Sequence, residues 1–154
     1  MDMKFNLVTQ VAGNHREVFR RFDKELLLKL TPPGMKAELK RYDEPTAVGS
    51  VVELNVTMLG LIKQEWENDI TDYEENDAEC YFVDEGRKLP WPLKSWRHKH
   101  LIRKAKTDAG MECVEIVDDI EYTAGGWTPF IHPVVWLQFA YRKPLYRKFF
   151  GKAQ

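Results

Sequence analysis

Trp96, His98, His100 and Ile102 recur at every second residue, and the positions between them, Arg97, Lys99, Leu101 and Arg103, are mainly basic. On an extended strand, successive side chains point to opposite faces. The basic set takes the solvent, which turns two imidazoles inward beside an indole. The following stretch repeats the habit. Val114, Ile116, Ile120 and Tyr122 share one parity with a single carboxylate, Asp118, in their midst, while Cys113, Glu115, Val117, Asp119 and Glu121 form a parity of solvated character. Asp108-Ala109-Gly110, between the two stretches, suits a three-residue hairpin loop closed by a left-handed glycine. Such a loop faces Thr107 with Met111 and sets His100 opposite Asp118, His98 opposite Ile120 and Trp96 opposite Tyr122. The sequence thus predicts a His100–Asp118 pair on the inner face of a hairpin.

Three kinds of chemistry suit that constellation. A histidine held by a carboxylate keeps one tautomer and works as a general acid or base near neutral pH. With Tyr122 donating to a carbonyl oxygen, His100 and Asp118 would serve the cyclisation or dehydration of a keto compound. The second use is binding alone: buried polar groups satisfy one another, because an unpaired one costs ~1–3 kcal/mol, and they orient the polar end of a ligand. Third, His98 and His100 present two imidazoles on one face, and with Asp118 they match the three-ligand, open form of a zinc site. The remaining histidines, His15 and His132, fall at expected helix starts and read as surface or capping residues.

Composition narrows the field. The 154 residues carry 23 basic and 24 acidic side chains, a net charge of −1, so no overall field attracts nucleic acid or an anionic membrane. The run Lys94, Arg97, Lys99, Arg103, Lys104 and Lys106 reads as a solvated strand face. Cys80 and Cys113 belong to no CxxC pair, which argues against a disulfide framework and for a reducing compartment. Met1 to Phe5 lacks the apolar core of a signal peptide, and no run reaches the ~18 apolar residues of a membrane span. The expectation is one cytoplasmic domain over residues 1–154, with no nucleic-acid partner and an oligomeric state that the sequence leaves open.

The elements that must position the histidines follow from patterning. Lys4 to Val11 alternates as a strand. Asn14, with Glu17 three residues on, starts a short helix carrying Val18, Phe19 and Phe22, and Asp23 starts a second with Leu26, Leu27, Leu28 and Leu30. Thr31-Pro32-Pro33-Gly34 ends it. Strands are expected over Met35–Tyr42, over Val51–Met58, and from Ile62 through Trp66 to Ile70, with a loop from Pro45 to Gly49 between the first two. Another is expected over Ala78–Asp84, where Tyr81 and Phe82 compete for the inner face, and Glu85 to Pro92 reads as an irregular loop. Gly125-Gly126 breaks the last strand. Pro129 and Pro133 suit the first turn of a helix whose stretch Val134–Tyr141 is apolar on nearly all sides, and such a helix is expected to be buried on more than one side. Pro144 should bend or end it, before the tail Tyr146 to Phe150.

This order of elements, together with Phe82, Asp84 and Glu85, then Trp96-x-His98-x-His100, Asp118-x-Ile120-x-Tyr122 and Tyr141-Arg142, resembles the START/Bet v 1-like superfamily, also called SRPBCC or polyketide cyclase/dehydratase-like. It is similar in particular to that group's small bacterial ligand-binding members. The chain departs from the pattern after Glu85, where Lys88-Leu89-Pro90-Trp91-Pro92 stands in place of a Gly-Pro-Phe-like step. The resemblance implies an α+β helix-grip fold: a curved seven-stranded antiparallel sheet, with two short helices, wrapping a long C-terminal helix. It also implies a hydrophobic cavity between sheet and helix. The function expected is non-catalytic binding of a hydrophobic small molecule, lipid-, polyketide- or aromatic-like, with no cofactor and no metal. The lining expected is Trp66, Phe82, Trp96, His98, His100, Asp118, Ile120, Tyr122 and Gln138. The alternative is a cyclase/dehydratase-type enzyme with His100, Asp118 and Tyr122 as its catalytic residues. A third possibility, an interaction module, would need an exposed apolar patch on the outer sheet face, and the charged residues of that parity speak against it.

Overall fold

Alternating patterning over most of the chain becomes seven strands: β1 (Asp2–Val11), β2 (Met35–Tyr42), β3 (Val51–Met58), β4 (Ile62–Glu75), β5 (Glu79–Lys88), β6 (Ser95–Lys106) and β7 (Glu112–Thr123). The computed structural model describes residues 2–45 and 47–153; Met1, Gln154 and Thr46, which falls in the loop expected from Pro45 to Gly49, lie outside the described residues. All neighbouring strands pair antiparallel in one sheet, in the order β1-β7-β6-β5-β4-β3-β2. The chain's first strand therefore forms one edge and its second the other. Between them run α1 (His15–Arg20) and α2 (Lys24–Lys29), capped as their sequences require. Asn14 Oδ1 accepts from the Arg16 and Glu17 backbone N–H groups, and Asp23 Oδ1 accepts from that of Leu26 at 3.0 Å.

The β6–β7 hairpin has the predicted register: His100 faces Asp118, His98 faces Ile120 and Trp96 faces Tyr122. Its turn is closed by Gly110 at φ +81° and by a hydrogen bond from Thr107 N to Met111 O of 2.9 Å. β5 is longer than expected and continues to Lys88, so the segment after Glu85 begins as strand rather than loop. Its inner face carries Cys80, Phe82 and Asp84, all buried, while Tyr81 lies outside beneath the Lys99 ammonium. The outer face of β7 is less solvated than its sequence suggests, because Cys113 and Val117 are buried there.

The C-terminal helix breaks close to Pro144, where a bend or an end was expected, but its burial differs from expectation. It begins at Thr128, after a short 3-10 turn (Gly125–Trp127), and runs as α3 (Thr128–Ala140) and α4 (Arg142–Phe150) with an interruption at Tyr141. Pro144 has no N–H to give the Ala140 carbonyl, which is the physical reason for a break at that point. The apolar α3 is not buried on several sides. Val135 and Phe139 pack inward, whereas Phe130, Val134 and Leu137 are 74%, 56% and 59% exposed. The open sheet meets this helix along one face only, so its apolar outer face stays in solvent.

The interior holds two apolar clusters. One joins α1, α2 and α4 to the sheet through Val18, Phe19, Leu26, Phe82, Ile102 and Tyr146. The other joins α3 to it through Trp96, Ile120, Tyr122, Val135 and Phe139. Along β6 the inner face reads Trp96, His98, His100, Ile102: one cluster, two imidazoles, the other cluster. The polar layer lies between the two cores.

Candidate functional site

Four elements each supply this layer. β5 brings Asp84, β6 His98 and His100, β7 Asp118, and α4 Arg142 and Tyr146. Asp84, His98, His100, Asp118 and Tyr146 are all buried, and the Arg142 side chain is 15% exposed. Burial of so many polar groups is tolerable only if they pair.

The pairing is diagonal rather than direct. His98 Nε2 donates to Asp118 Oδ1 at 2.9 Å, and His100 Nε2 meets Asp84 Oδ2 at 2.6 Å. The expected His100–Asp118 hydrogen bond is therefore absent, although the backbone register that suggested it is present. In a sheet the diagonal neighbours lie roughly 7–8 Å apart at the backbone, within reach of long side chains. His98 takes the diagonal to β7 and leaves Asp84, its own partner across β5, to His100. The Tyr146 hydroxyl also donates to Asp118, at 3.1 Å to Oδ2, and Arg142 Nη1 stands 3.6 Å from Oδ1. The His100 ring stacks on Phe82 with centroids 4.2 Å apart, and the two imidazoles lie 3.6 Å apart.

These contacts set the charges. Burial by itself raises a carboxyl pKa, but at Asp118 the His98 hydrogen bond and the Arg142 charge outweigh it and hold the group at about 2. Asp84 is likewise held below its ordinary value, burial being outweighed by its hydrogen bond to His100 and by neighbouring positive charge. Burial and the proximity of His100 drive His98 down to about 4 despite Asp118, so this imidazole is neutral at pH 7 with its proton on Nε2. Burial, then the Asp118 charge, push the Tyr146 phenol up. Among the described residues, three buried atoms of the layer have no hydrogen-bond partner: Asp84 Oδ1, His100 Nδ1 and Arg142 Nη1.

A cavity of about 150 Å³ opens beside the layer. Trp66, Phe82, Trp96, His98, His100 and Gln138 of the expected set line it. Asp118, Ile120 and Tyr122 do not. Asp118 lies behind His98 as its hydrogen-bond partner, and Ile120 and Tyr122 are fully buried in the core beneath α3. The Tyr122 hydroxyl bonds His132 Nδ1 at 3.0 Å, so it is not an acid available to a cavity ligand. His132 is accordingly a core partner inside α3 and no cap, and His15 is buried with Nε2 donating to the Asn76 carbonyl at 3.0 Å. Asp84 and Arg142 line the cavity and were outside the expected set. Both sit in the motifs that carry the family resemblance. α2 with its C-cap Leu30, the edge strand β2 and its neighbour β3 supply much of the remaining wall, among them Leu27, Leu30, Met35, Ala37 and Leu54. The space is smaller than the roughly 300–1,000 Å³ of pockets for drug-sized ligands and suits a small molecule.

No protein-family model and no curated protein matches this chain. Solved structures do. A protein from Chromobacterium violaceum superposes with a TM-score of 0.65 at 15% identity, over 97% of this chain and 98% of that one. The di-domain ARO/CYC StfQ from the steffimycin biosynthetic pathway gives 0.66 at 10% identity over 97% of this chain, which spans about half, 51%, of StfQ. A norcoclaurine synthase from Thalictrum, solved as a point mutant with a transition-state analogue, gives 0.58 at 14% identity, covering 97% and 96% of the two chains. At these identities the likeness is one of fold. Among the described residues, no helix is long and apolar enough to cross a membrane.

The fold is the helix-grip fold of the START/Bet v 1-like superfamily, α+β with a seven-stranded antiparallel sheet, as the sequence resemblance implied.

Proposed function

We propose that this protein binds a small, largely apolar molecule in the cavity between the sheet and the C-terminal helices, without transforming it. Asp84, His100 and Arg142 hold the ligand's one polar end. The observation that carries this reading is the placing of unsatisfied groups. Among the described residues, Asp84 Oδ1, His100 Nδ1 and Arg142 Nη1 find no hydrogen-bond partner, and all three residues belong to the wall of an otherwise mainly apolar cavity. A ligand with one polar end removes a desolvation cost of ~1–3 kcal/mol for each neutral group it satisfies. Trp66, Trp96 and Phe139 supply apolar and aromatic surface for the remainder.

An acid–base enzyme of cyclase or dehydratase type is the second reading. It is favoured by the 2.6 Å hydrogen bond between His100 and Asp84 at the cavity wall, a carboxylate-oriented imidazole. In that reading Asp84 takes the place expected for Asp118, and Tyr122 has no part.

Native mass spectrometry of the purified protein, compared with its denatured mass, tests the binder. An organic adduct that leaves on denaturation is the expected result. Absence of an adduct, together with no Trp66/Trp96 fluorescence response to a panel of one- and two-ring phenols, ketones and short fatty acids, would sink it. Turnover of a keto compound that disappears in His100→Ala would favour the enzyme.

A further inference from the structure

We propose that Asp84, His98 and His100 form a binding site for a divalent transition-metal ion of the Zn²⁺ class, open on its cavity side. The proposal stands apart from the identity of any organic ligand, because it rests on the three side chains alone.

The donor atoms converge. One ligating atom from each residue lies within 4.8 Å of those of the other two, and all three residues are buried. Asp84 Oδ2 is 2.6 Å from His100 Nε2 and 3.8 Å from His98 Nδ1. An ion bound at ~2.0–2.2 Å to each places neighbouring ligand atoms roughly 3.3 Å apart. One separation is shorter than that and the other longer, so movement of the Asp84 carboxylate by roughly half an ångström reconciles them.

Three further observations point to a cation. First, Asp118 accepts the Nε2–H of His98, which fixes the tautomer and turns the bare Nδ1 toward Asp84 Oδ2. Two acceptors facing each other are repulsive unless a positive group lies between them. Second, a carboxylate behind the far nitrogen of an imidazole is the arrangement that orients metal-ligating histidines and raises their basicity. Here that carboxylate is itself fixed by Tyr146. Third, Asp84 Oδ1 is buried with no partner among the described residues, so the carboxylate can turn toward an ion without losing a hydrogen bond at that oxygen.

Charge points the same way. The layer holds two carboxylates, Asp84 and Asp118, against one guanidinium, Arg142, which lies 3.6 Å from Asp118. A cation at Asp84 removes the excess negative charge. Because the three ligands also line the cavity, the remaining coordination positions face it. Three protein ligands with an open position is the pattern of metal sites that exchange water or bind substrate, unlike the closed four-ligand structural sites.

The competing occupant is a proton on His100, which would make an imidazolium–carboxylate pair with Asp84 and need no metal. Chelator-treated wild-type protein titrated with Zn²⁺ separates the two. Isothermal titration calorimetry should give one equivalent. The imidazole ¹⁵N resonances of His98 and His100 should move while those of His15 and His132, the other two of the four histidines, stay in place. Co²⁺ should give visible bands of a four- or five-coordinate ion. Asp84→Asn and His100→Gln should each abolish the Co²⁺ bands, and Asp118→Asn should weaken Zn²⁺ roughly 10–100-fold. Histidine resonances that do not respond, a Co²⁺ spectrum like that of the aqua ion, or Zn²⁺ affinity unchanged in Asp84→Asn would overturn the proposal. The wild-type resonances decide the matter even if the variants fail to fold.

Discussion

His98 donates to Asp118 across the diagonal of the β6–β7 ladder, although His100 is the residue directly opposite Asp118. One carboxylate thereby ties three elements: β6 through His98, β7 through its own backbone, and α4 through Tyr146 and Arg142.

Replacing that carboxylate should be costly. Asp118→Ala leaves the His98 N–H and the Tyr146 hydroxyl without their acceptor and the Arg142 charge without its nearest counter-ion. Breaking a buried ion pair costs ~3–5 kcal/mol, and that loss is expected in denaturant unfolding. A ligand held by Arg142 should be loosened at the same time. A stability change below ~1 kcal/mol would show that the network is redundant.

Acid should destabilise the metal-free protein in two stages. His98 falls from an ordinary ~6.5 to about 4 on folding. Between those values the unfolded chain binds more protons, so the stability contributed by neutral His98 is complete above ~pH 6.5 and lost as pH falls toward 4. Asp118, held at about 2, contributes stability present above ~pH 4 and lost on approach to pH 2. Unfolding free energy measured from pH 7 to pH 3 should fall continuously in chelated wild type. In His98→Gln the slope between pH 6.5 and 4 should flatten, and an unchanged slope would assign the first stage to another group.

Filling the cavity should separate binding from folding. Ala37 lines it from the edge strand β2, and Ala37→Phe adds a ring to the available space. Ligand affinity is expected to drop at least tenfold, while the overpacking cost stays near the lower end of ~1–3 kcal/mol because the space is empty. Full affinity in a folded Ala37→Phe protein would move the ligand elsewhere.

The helix caps offer a control on local reasoning. Asp23→Ala removes the acceptor for the Leu26 N–H and should cost ~1 kcal/mol, mostly restored by Asp23→Ser. Failure of serine to rescue would mean that Asp23 acts through something other than the cap.

On the outer face of α3, Phe130→Ser with Leu137→Ser should change stability by less than ~0.5 kcal/mol per site, since both are more than half exposed. A larger loss, growing with protein concentration, would show that this face is covered in solution.

Much of the frame could be read in the residues. Alternation on β6 and β7, with a glycine at the right place in a three-residue turn, set the register of the hairpin and thus brought both imidazoles and Asp118 inward. Asn14 and Asp23 marked two helix starts for the same local reason: a short side chain can satisfy a backbone donor that the helix leaves free. What escaped was any relation decided by reach or by a third element. Register fixes which Cα atoms are opposite, but side-chain length lets His98 choose Asp118 over its direct neighbour. Asp84 went unassigned to the site because Tyr81 and Phe82 suit the inner face of β5 equally well by hydrophobicity. Arg142 and Tyr146 lie beyond the interruption at Tyr141, where the helix pattern no longer tells which way a side chain points. The exposure of α3 was hidden by its uniformity, since a helix apolar all round carries no sign of which face its partner covers.

Among the described residues β1 has only β7 as a ladder partner, and the end of β1 meets the segment after α4, where Ala12 N donates to the Gly151 carbonyl at 2.9 Å and Val11 bridges Lys152. Its pairs with β7, from Asp2 with Thr123 to Val11 with Val114, therefore close the longest loop in the sheet. Strands β2 to β7 form a meander whose hairpins join chain neighbours. Docking of β1 thus bears a loop-closure entropy that no hairpin of the meander bears, which makes it the slow, last step expected in folding.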